Sequence, residues 1–215
     1  MISDRLIVSS EGPVGRLVLN NPERLNALSF DMWEGIPAAL ARLAADPALR
    51  VVILSGAGEK AFAAGADISQ FESGYADAAT VVRANEIIEE AFLAIERCPV
   101  PTIAEIRGYC IGGGMAIALC CDLRIAAEGA RFGIPPARLG LGYDHMSVRR
   151  VIEAVGPSAA KEILFTGRQF STAEAEGMGL VNRVVPAPDL GTAVREVAAE
   201  IAASGARKDG LVWRI

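Results

Sequence analysis

Ile106-Arg-Gly-Tyr-Cys-Ile-Gly-Gly-Gly-Met-Ala-Ile-Ala-Leu-Cys-Cys-Asp122 is the stretch around which the chain is organised. Thr102 to Ile106, just before and into it, is a β-rich run, Gly112, Gly113 and Gly114 form a turn that a side chain would obstruct, and Met115 to Cys121 reads as a short apolar helix. The order is strand, glycine turn, helix start. The first amides of a helix have no intrahelical acceptor and sit at the positive end of its dipole, so an anion or a polarised oxygen can approach bare N–H groups there. The alternative is that the three glycines only let a buried helix pack closely on its strand.

Working outward, the chain opens with two β-type runs, Leu6 to Ser10 and Val14 to Leu19, joined as a hairpin through Glu11-Gly12-Pro13. Ser29 is placed to cap a helix running to about Ala45, with Met32, Ile36, Leu40 and Leu43 at helical spacing. Val51 to Ser55 is a short apolar strand leading into Gly56-Ala-Gly-Glu-Lys-Ala-Phe-Ala-Ala-Gly-Ala-Asp67, and a helix from about Ala79 to Arg97 returns the chain through Pro99 and Pro101 to the central strand. Beyond the central helix come a strand (Leu123 to Ala126) and a loop (Phe132 to Asp144). Helical runs follow at His145 to Val155 and Ser158 to Phe165, parted by Gly156-Pro157, and another near Thr172 to Met178. A strand (Val181 to Val185) and a last helix from Leu190 close the pattern. Strands alternating with helices predict an α/β fold with a mostly parallel sheet and ligands at the C-terminal strand ends.

Composition narrows the function. The chain has 215 residues, a formal charge of −5, a pI near 5.1 and no basic run, which disfavours a nucleic-acid partner and favours a small ligand. Mean hydropathy is +0.33, yet the uncharged stretch Gly108 to Cys121 is well short of the roughly 20 residues that span a bilayer, so no membrane partner is expected. The N-terminus lacks a basic region followed by an apolar block. Cys98, Cys110, Cys120 and Cys121 have no Cys-x-x-Cys spacing and the chain has one histidine, so no metal site is expected and buried, reduced thiols in the cytoplasm are the simplest account.

Gly56-Ala57-Gly58-Glu59-Lys60-Ala61 matches the spacing of a dinucleotide fingerprint, but its last residue should open a helix, whereas Ala61 to Gly65 continues as a small-residue loop. The two glycine-bearing loops make more sense together. Adjacent parallel strands would bring Ala66 and Gly113 to one edge of the sheet, where two converging amides make an oxyanion hole.

At these residues the sequence resembles a known family. Asn21-Pro-Glu-Arg-Leu-Asn-Ala-Leu28, Lys60-Ala-Phe-Ala-Ala-Gly-Ala-Asp-Ile68, Gly108-Tyr-Cys-Ile-Gly-Gly-Gly114, Phe165-Thr-Gly-Arg168 and Ala173-Glu-Ala-Glu-Gly-Met-Gly-Leu-Val-Asn182 stand in the order and spacing of the crotonase superfamily, the enoyl-CoA hydratase/isomerase family. The resemblance covers about residues 5 to 203. It implies a ClpP/crotonase-like fold of repeated ββα units, with residues 1–203 as an acyl-CoA-binding domain and 204–215 as a short tail in place of the usual terminal helices, mobile or docked on a neighbour. It implies an acyl-CoA thioester whose carbonyl oxygen is held by the amides of Ala66 and Gly113, and no cofactor beyond the CoA moiety of the substrate. Arg24 and the loop Ala64-Gly-Ala-Asp67-Ile68-Ser69 would contact CoA, the alternative for Arg24 being a solvated loop cation. It further implies a homotrimer or dimer of trimers.

The departures from the family fall where its proton chemistry lives. The hydratases it resembles carry one glutamate two residues after the glycine triplet and another in the Phe-Gly-x-Pro-Glu block, and this chain has Ala116 and Pro136 there. Hydration needs a positioned acid and base, so isomerisation or a related proton transfer or decarboxylation is expected instead. Asp144 falls where dienoyl-CoA isomerases carry an aspartate and Tyr143 where a decarboxylase relative carries a tyrosine. Asp144 reads either as an N-cap for the helix starting at His145 or as a base whose pKa is raised by Leu139, Leu141 and Tyr143. Tyr143 reads as a pocket wall or an acid, and His145 as a core-edge residue or a catalytic one. Asp67, Asp122, Glu89, Glu90 and Glu96 read as structural or solvated.

Overall fold

In the computed structural model, which describes residues 1–67, 78–140 and 142–209, the hairpin forms as β1 (Leu6–Glu11) and β2 (Val14–Leu19). Next come α1 (Phe30–Ala44), β3 (Val51–Gly56), β4 (Ala61–Ala63) and α2 (Ala78–Glu96). The central stretch supplies β5 (Thr102–Ile106), β6 (Tyr109–Ile111) and α3 (Gly113–Cys120). Then follow β7 (Leu123–Ala127), β8 (Arg131–Gly133), α4 (His145–Thr166), β9 (Phe170–Ser171), α5 (Thr172–Gly177), β10 (Arg183–Val185) and α6 (Leu190–Ser204).

Two sheets result. The larger has the order β1-β2-β3-β5-β7-β10, parallel from β2 onward, and the smaller has the order β4-β6-β8-β9. Each ββα unit therefore gives one strand to each sheet: β3 with β4, β5 with β6, β7 with β8. In β3 successive side chains alternate between two cores, Val51 and Ile53 in one with α6, Val52 and Leu54 in the other with α1, α2 and α3. A strand buried on both faces reads as a continuous apolar run, which is why Val51 to Leu54 carries no polar residue.

The glycine turn forms for steric reasons. Gly112 has φ +53 and ψ −119, a conformation that side-chain-bearing residues rarely adopt, and a Cβ on Gly114 would lie 2.3 Å from the Ala63 carbonyl oxygen. The packing reading holds, and the close approach of α3 to β4 leaves the first helical amides at the strand ends. α3 starts at Gly113 rather than Met115, two residues earlier than the apolar pattern indicates. α4 is one helix broken at Gly156 (φ 74, ψ 167), ahead of Pro157.

Several expectations are corrected. Phe132 to Asp144 is not all loop: β8 ends at Gly133 and a 3₁₀ turn spans Pro136–Leu139. Ala61 opens a strand, not a loop, and Gly56 serves close packing, since a Cβ there would lie 2.3 Å from the carbonyl oxygens of Ala61 and Phe62, whereas Gly58 takes a left-handed φ of +74. Ser29 stands at the N-cap of α1 but its hydroxyl makes no cap bond. The start of the tail is docked on its own body: the Lys208 amide donates to the Pro99 carbonyl at 2.9 Å, and its ammonium reaches the Glu96 carbonyl at 3.1 Å and Asp122 at 2.9 Å. Leu211, Val212, Trp213 and Ile215 lie outside the described residues. No described helix is long and apolar enough to cross a membrane.

Candidate active site

β4 and β6 are adjacent and parallel, so the loops that follow them, Ala64–Asp67 and Gly112–Gly114, leave the small sheet side by side. The Ala66 loop is pinned from the other side by Leu28: the Leu28 amide donates to Gly65 at 2.8 Å and the Asp67 amide to Leu28 at 2.9 Å, while Ala64 donates to Leu25 at 3.0 Å. In that parallel bridge the Ala66 amide points away from Leu28 and donates to no described residue. Gly113 is the first residue of α3, where an amide has no intrahelical acceptor, and it too has none among the described residues. Gly112, by contrast, donates to Gly133 at 2.8 Å.

The two bare amides border one space. A Cβ on Gly113 would lie 3.5 Å from the Ala66 nitrogen, and a Cβ on Gly65 would lie 3.7 Å from the Gly113 nitrogen. Trp33, from α1, closes that space: its Cζ2 would stand 3.1 Å from the same Gly113 Cβ. The dipole of α3 and the bare amides of its first turn give the space a positive potential.

The loop 20–26 is held by Asn26, fully buried with φ 56, whose amide group donates to Ala57 at 2.9 Å and Ala61 at 2.7 Å while its oxygen accepts from Asn21 at 3.0 Å. Arg24 reaches both carboxylate oxygens of Asp67, at 3.0 and 2.9 Å, with Asp67 7% exposed. That pair ties the two loops together. Ile68 and Ser69 lie outside the described residues.

The proton-transfer candidates stand differently. Ala116 is buried on α3, and Pro136 sits at the start of the 3₁₀ turn. Asp144 is the N-cap of α4, accepting from the Ser147 amide at 2.9 Å. Burial works to raise its pKa, but hydrogen bonds from the Ser147 hydroxyl and amide and the Met146 amide, with the Arg150 charge, hold it below the ordinary carboxylate value. The expected upward shift is therefore wrong: an exposed side chain at a helix N-terminus feels amides more than apolar neighbours. Tyr143 is half-buried against the main core, and desolvation, with the Asp144 charge, raises its hydroxyl and keeps it neutral. His145 is exposed at the first turn of α4.

Two further groups carry weight here that the sequence pattern did not single out. Arg150, with a side chain 4% exposed, is held by Glu96 at 2.5 Å and Glu89 at 2.9 Å and lies over the Phe92 ring at 4.9 Å. Trp33 meets Phe92 edge-on, centroids 5.4 Å apart. The signal for Trp33 was available, since it stands three residues before Ile36 on the buried stripe of α1. Arg150 had none, its carboxylates lying 54 and 61 residues away. All four cysteines are free and buried, and burial raises each thiol, Cys121 to about 12, so none is a thiolate nucleophile at neutral pH. Among the described residues no cluster of His, Cys, Asp or Glu is arranged to hold a metal.

A repeated ββα architecture with glycine-rich loops leaving paired strands is the crotonase fold. The Enoyl-CoA hydratase/isomerase family model matches residues 9–209, and the chain belongs to that family. It is 36% identical to a crotonyl-CoA hydratase of Syntrophomonas wolfei over 95% of this chain and 78% of that one. Among solved structures, it superposes with a TM-score of 0.90 on an enoyl-CoA hydratase/isomerase family protein of Hyphomonas neptunium, 45% identical over 93% of this chain and 76% of that one. An enoyl-CoA hydratase/carnithine racemase of Magnetospirillum magneticum gives 0.91 at 38% identity, covering 94% and 75%.

Proposed function

We propose that the protein binds an acyl-CoA thioester and polarises its carbonyl between the amides of Ala66 and Gly113, stabilising an enolate-like intermediate. The observation that carries this reading is the pair of bare amides bordering one space on paired strands. Two such donors supply electrostatic stabilisation where charge develops, each worth about 100 to 1,000 in rate. Arg24, Ala64 and Asp67, with Ile68 and Ser69, form the CoA-side loops in this reading.

Within that class the reading favours double-bond isomerisation, or a related proton transfer or decarboxylation, over hydration. Alanine and proline at 116 and 136 have no titratable group, whereas moving one proton between carbons needs one base. Asp144 is that base in this reading, ionised at neutral pH but made a weaker base by its lowered pKa, and Tyr143, held neutral, is the donor or the wall beside it. The second reading is hydration, favoured by the relatives' hydratase names. We place the protein in the cytoplasm as a homotrimer or dimer of trimers.

The test is a screen of acyl-CoA thioesters by ultraviolet absorbance and mass spectrometry. Isomerised or decarboxylated product supports the favoured reading and hydrated product the second. Binding without any turnover would identify a CoA-binding protein that is not an enzyme.

A further inference from the structure

We propose that Trp33 is a positioning residue for the Gly113 amide, locked in place by the Phe92–Arg150 stack; this rests on the amide pair being the oxyanion site proposed above. A glycine turn has no side chain of its own with which to fix its place, so a neighbour must supply the wall. At Gly113 that neighbour is the indole edge. A carbon built there would meet Cζ2 at 3.1 Å and Cη2 at 3.4 Å, and would lie 3.5 Å from the Ala66 nitrogen. Trp33 and the Ala66 amide therefore flank the same side of Gly113, and the ring limits how far the turn can shift in that direction.

The ring is itself constrained. Trp33 is 2% exposed and meets Phe92 at an interplanar angle of 85°. The opposing cation is Arg150, over Phe92 and fixed by Glu89 and Glu96 from the same helix as Phe92. α1 and α2 thus meet at the indole, and α4 braces that contact through Arg150 on Phe92. An oxyanion donor must stand about 2.7–3.1 Å from the charge it stabilises, so a displacement of about an ångström removes most of its benefit. Shrinking the ring would leave a cavity into which the turn relaxes.

The test uses cinnamoyl-CoA as an optical probe, because polarising a conjugated thioester carbonyl moves its absorption to the red. The full-length protein is titrated as wild type, Trp33→Phe and Trp33→Leu, and affinity and spectral shift are read separately. Wild type should show a red shift. Trp33→Leu should bind within about threefold of wild type yet lose most of the shift, and turnover of the thioester found by the screen should fall about tenfold with KM little changed. Trp33→Phe should fall between. A full shift in Trp33→Leu overturns the inference while leaving the oxyanion reading intact, whereas no shift in wild type sinks the oxyanion reading itself. If Trp33→Leu fails to fold, Trp33→Phe and Phe92→Leu carry the test, and an undiminished shift in both overturns it.

Discussion

The two sides of the candidate site are built from different material. On the amide side, Ala66 and Gly113 act through backbone, and their places follow from the pairing of β4 with β6, the Leu28 bridge and the contact of Gly114 with Ala63. On the proton side, in the reading proposed above, chemistry would come from side chains, and Ala116 and Pro136 have no titratable group. Asp144, the carboxylate proposed for that role, is exposed and caps its own helix. Backbone function is tied to packing and persists wherever the fold persists, whereas side-chain function can be exchanged at little structural cost.

Breaking the amide side should have the largest effect. Gly113→Ala would put a methyl between Trp33 and the Ala66 amide, filling the space the oxygen needs. Turnover of the best thioester should fall about 100- to 1,000-fold, with about 1–3 kcal/mol of stability lost as the methyl presses on Trp33. Undiminished turnover would mean that the oxygen is held elsewhere.

The junction between the sides comes next. Arg150→Met leaves Glu89 and Glu96 without their cation and should cost about 3 kcal/mol in urea unfolding, toward the low end for a broken buried pair because both carboxylates keep partial access to water. A change under about 1 kcal/mol would show that the triad does not brace α4 against α2.

On the proton side, Asp144→Asn keeps the capping oxygen and removes the base. Isomerase activity should fall about 100-fold while hydration of crotonyl-CoA is low in both forms. Robust wild-type hydration would instead erase the contrast between the two sides.

The smallest effect concerns the cap alone. Asp144→Ala should cost about 1 kcal/mol of stability and Asp144→Asn much less, measured by denaturant unfolding at neutral pH. Because the folded pKa of Asp144 lies below 3.8, its charge contributes fully above that pH, and the contribution is lost as pH falls through the lower folded value. The difference between wild type and Asp144→Ala should therefore narrow in acid and not in base.

Much of this was legible before any coordinates. The hairpin, the central strand and glycine turn, the break at Gly156-Pro157 and the pairing of the Ala66 and Gly113 loops each rest on local signals: apolar periodicity, a glycine run, a helix breaker. β8 and β9 escaped because strands of three and two residues are shorter than any alternation that could reveal them. Asn26 read as one more polar loop residue, and only its burial beneath Ala57 and Ala61 shows that it holds the loop.

By itself the sequence determined the family, the strands of the larger sheet with the helices between them, and the two glycine-bearing loops, because glycine placement and apolar period are properties of the chain taken a few residues at a time. Only the tertiary structure decided what surrounds the amides of those loops. That Trp33 lies on Gly113, that Arg150 finds Glu89 and Glu96, and that Asp144 is held ionised by its own helix are outcomes of packing and field. Those depend on residues brought together from distant parts of the chain and on the amides they face, which no local pattern encodes.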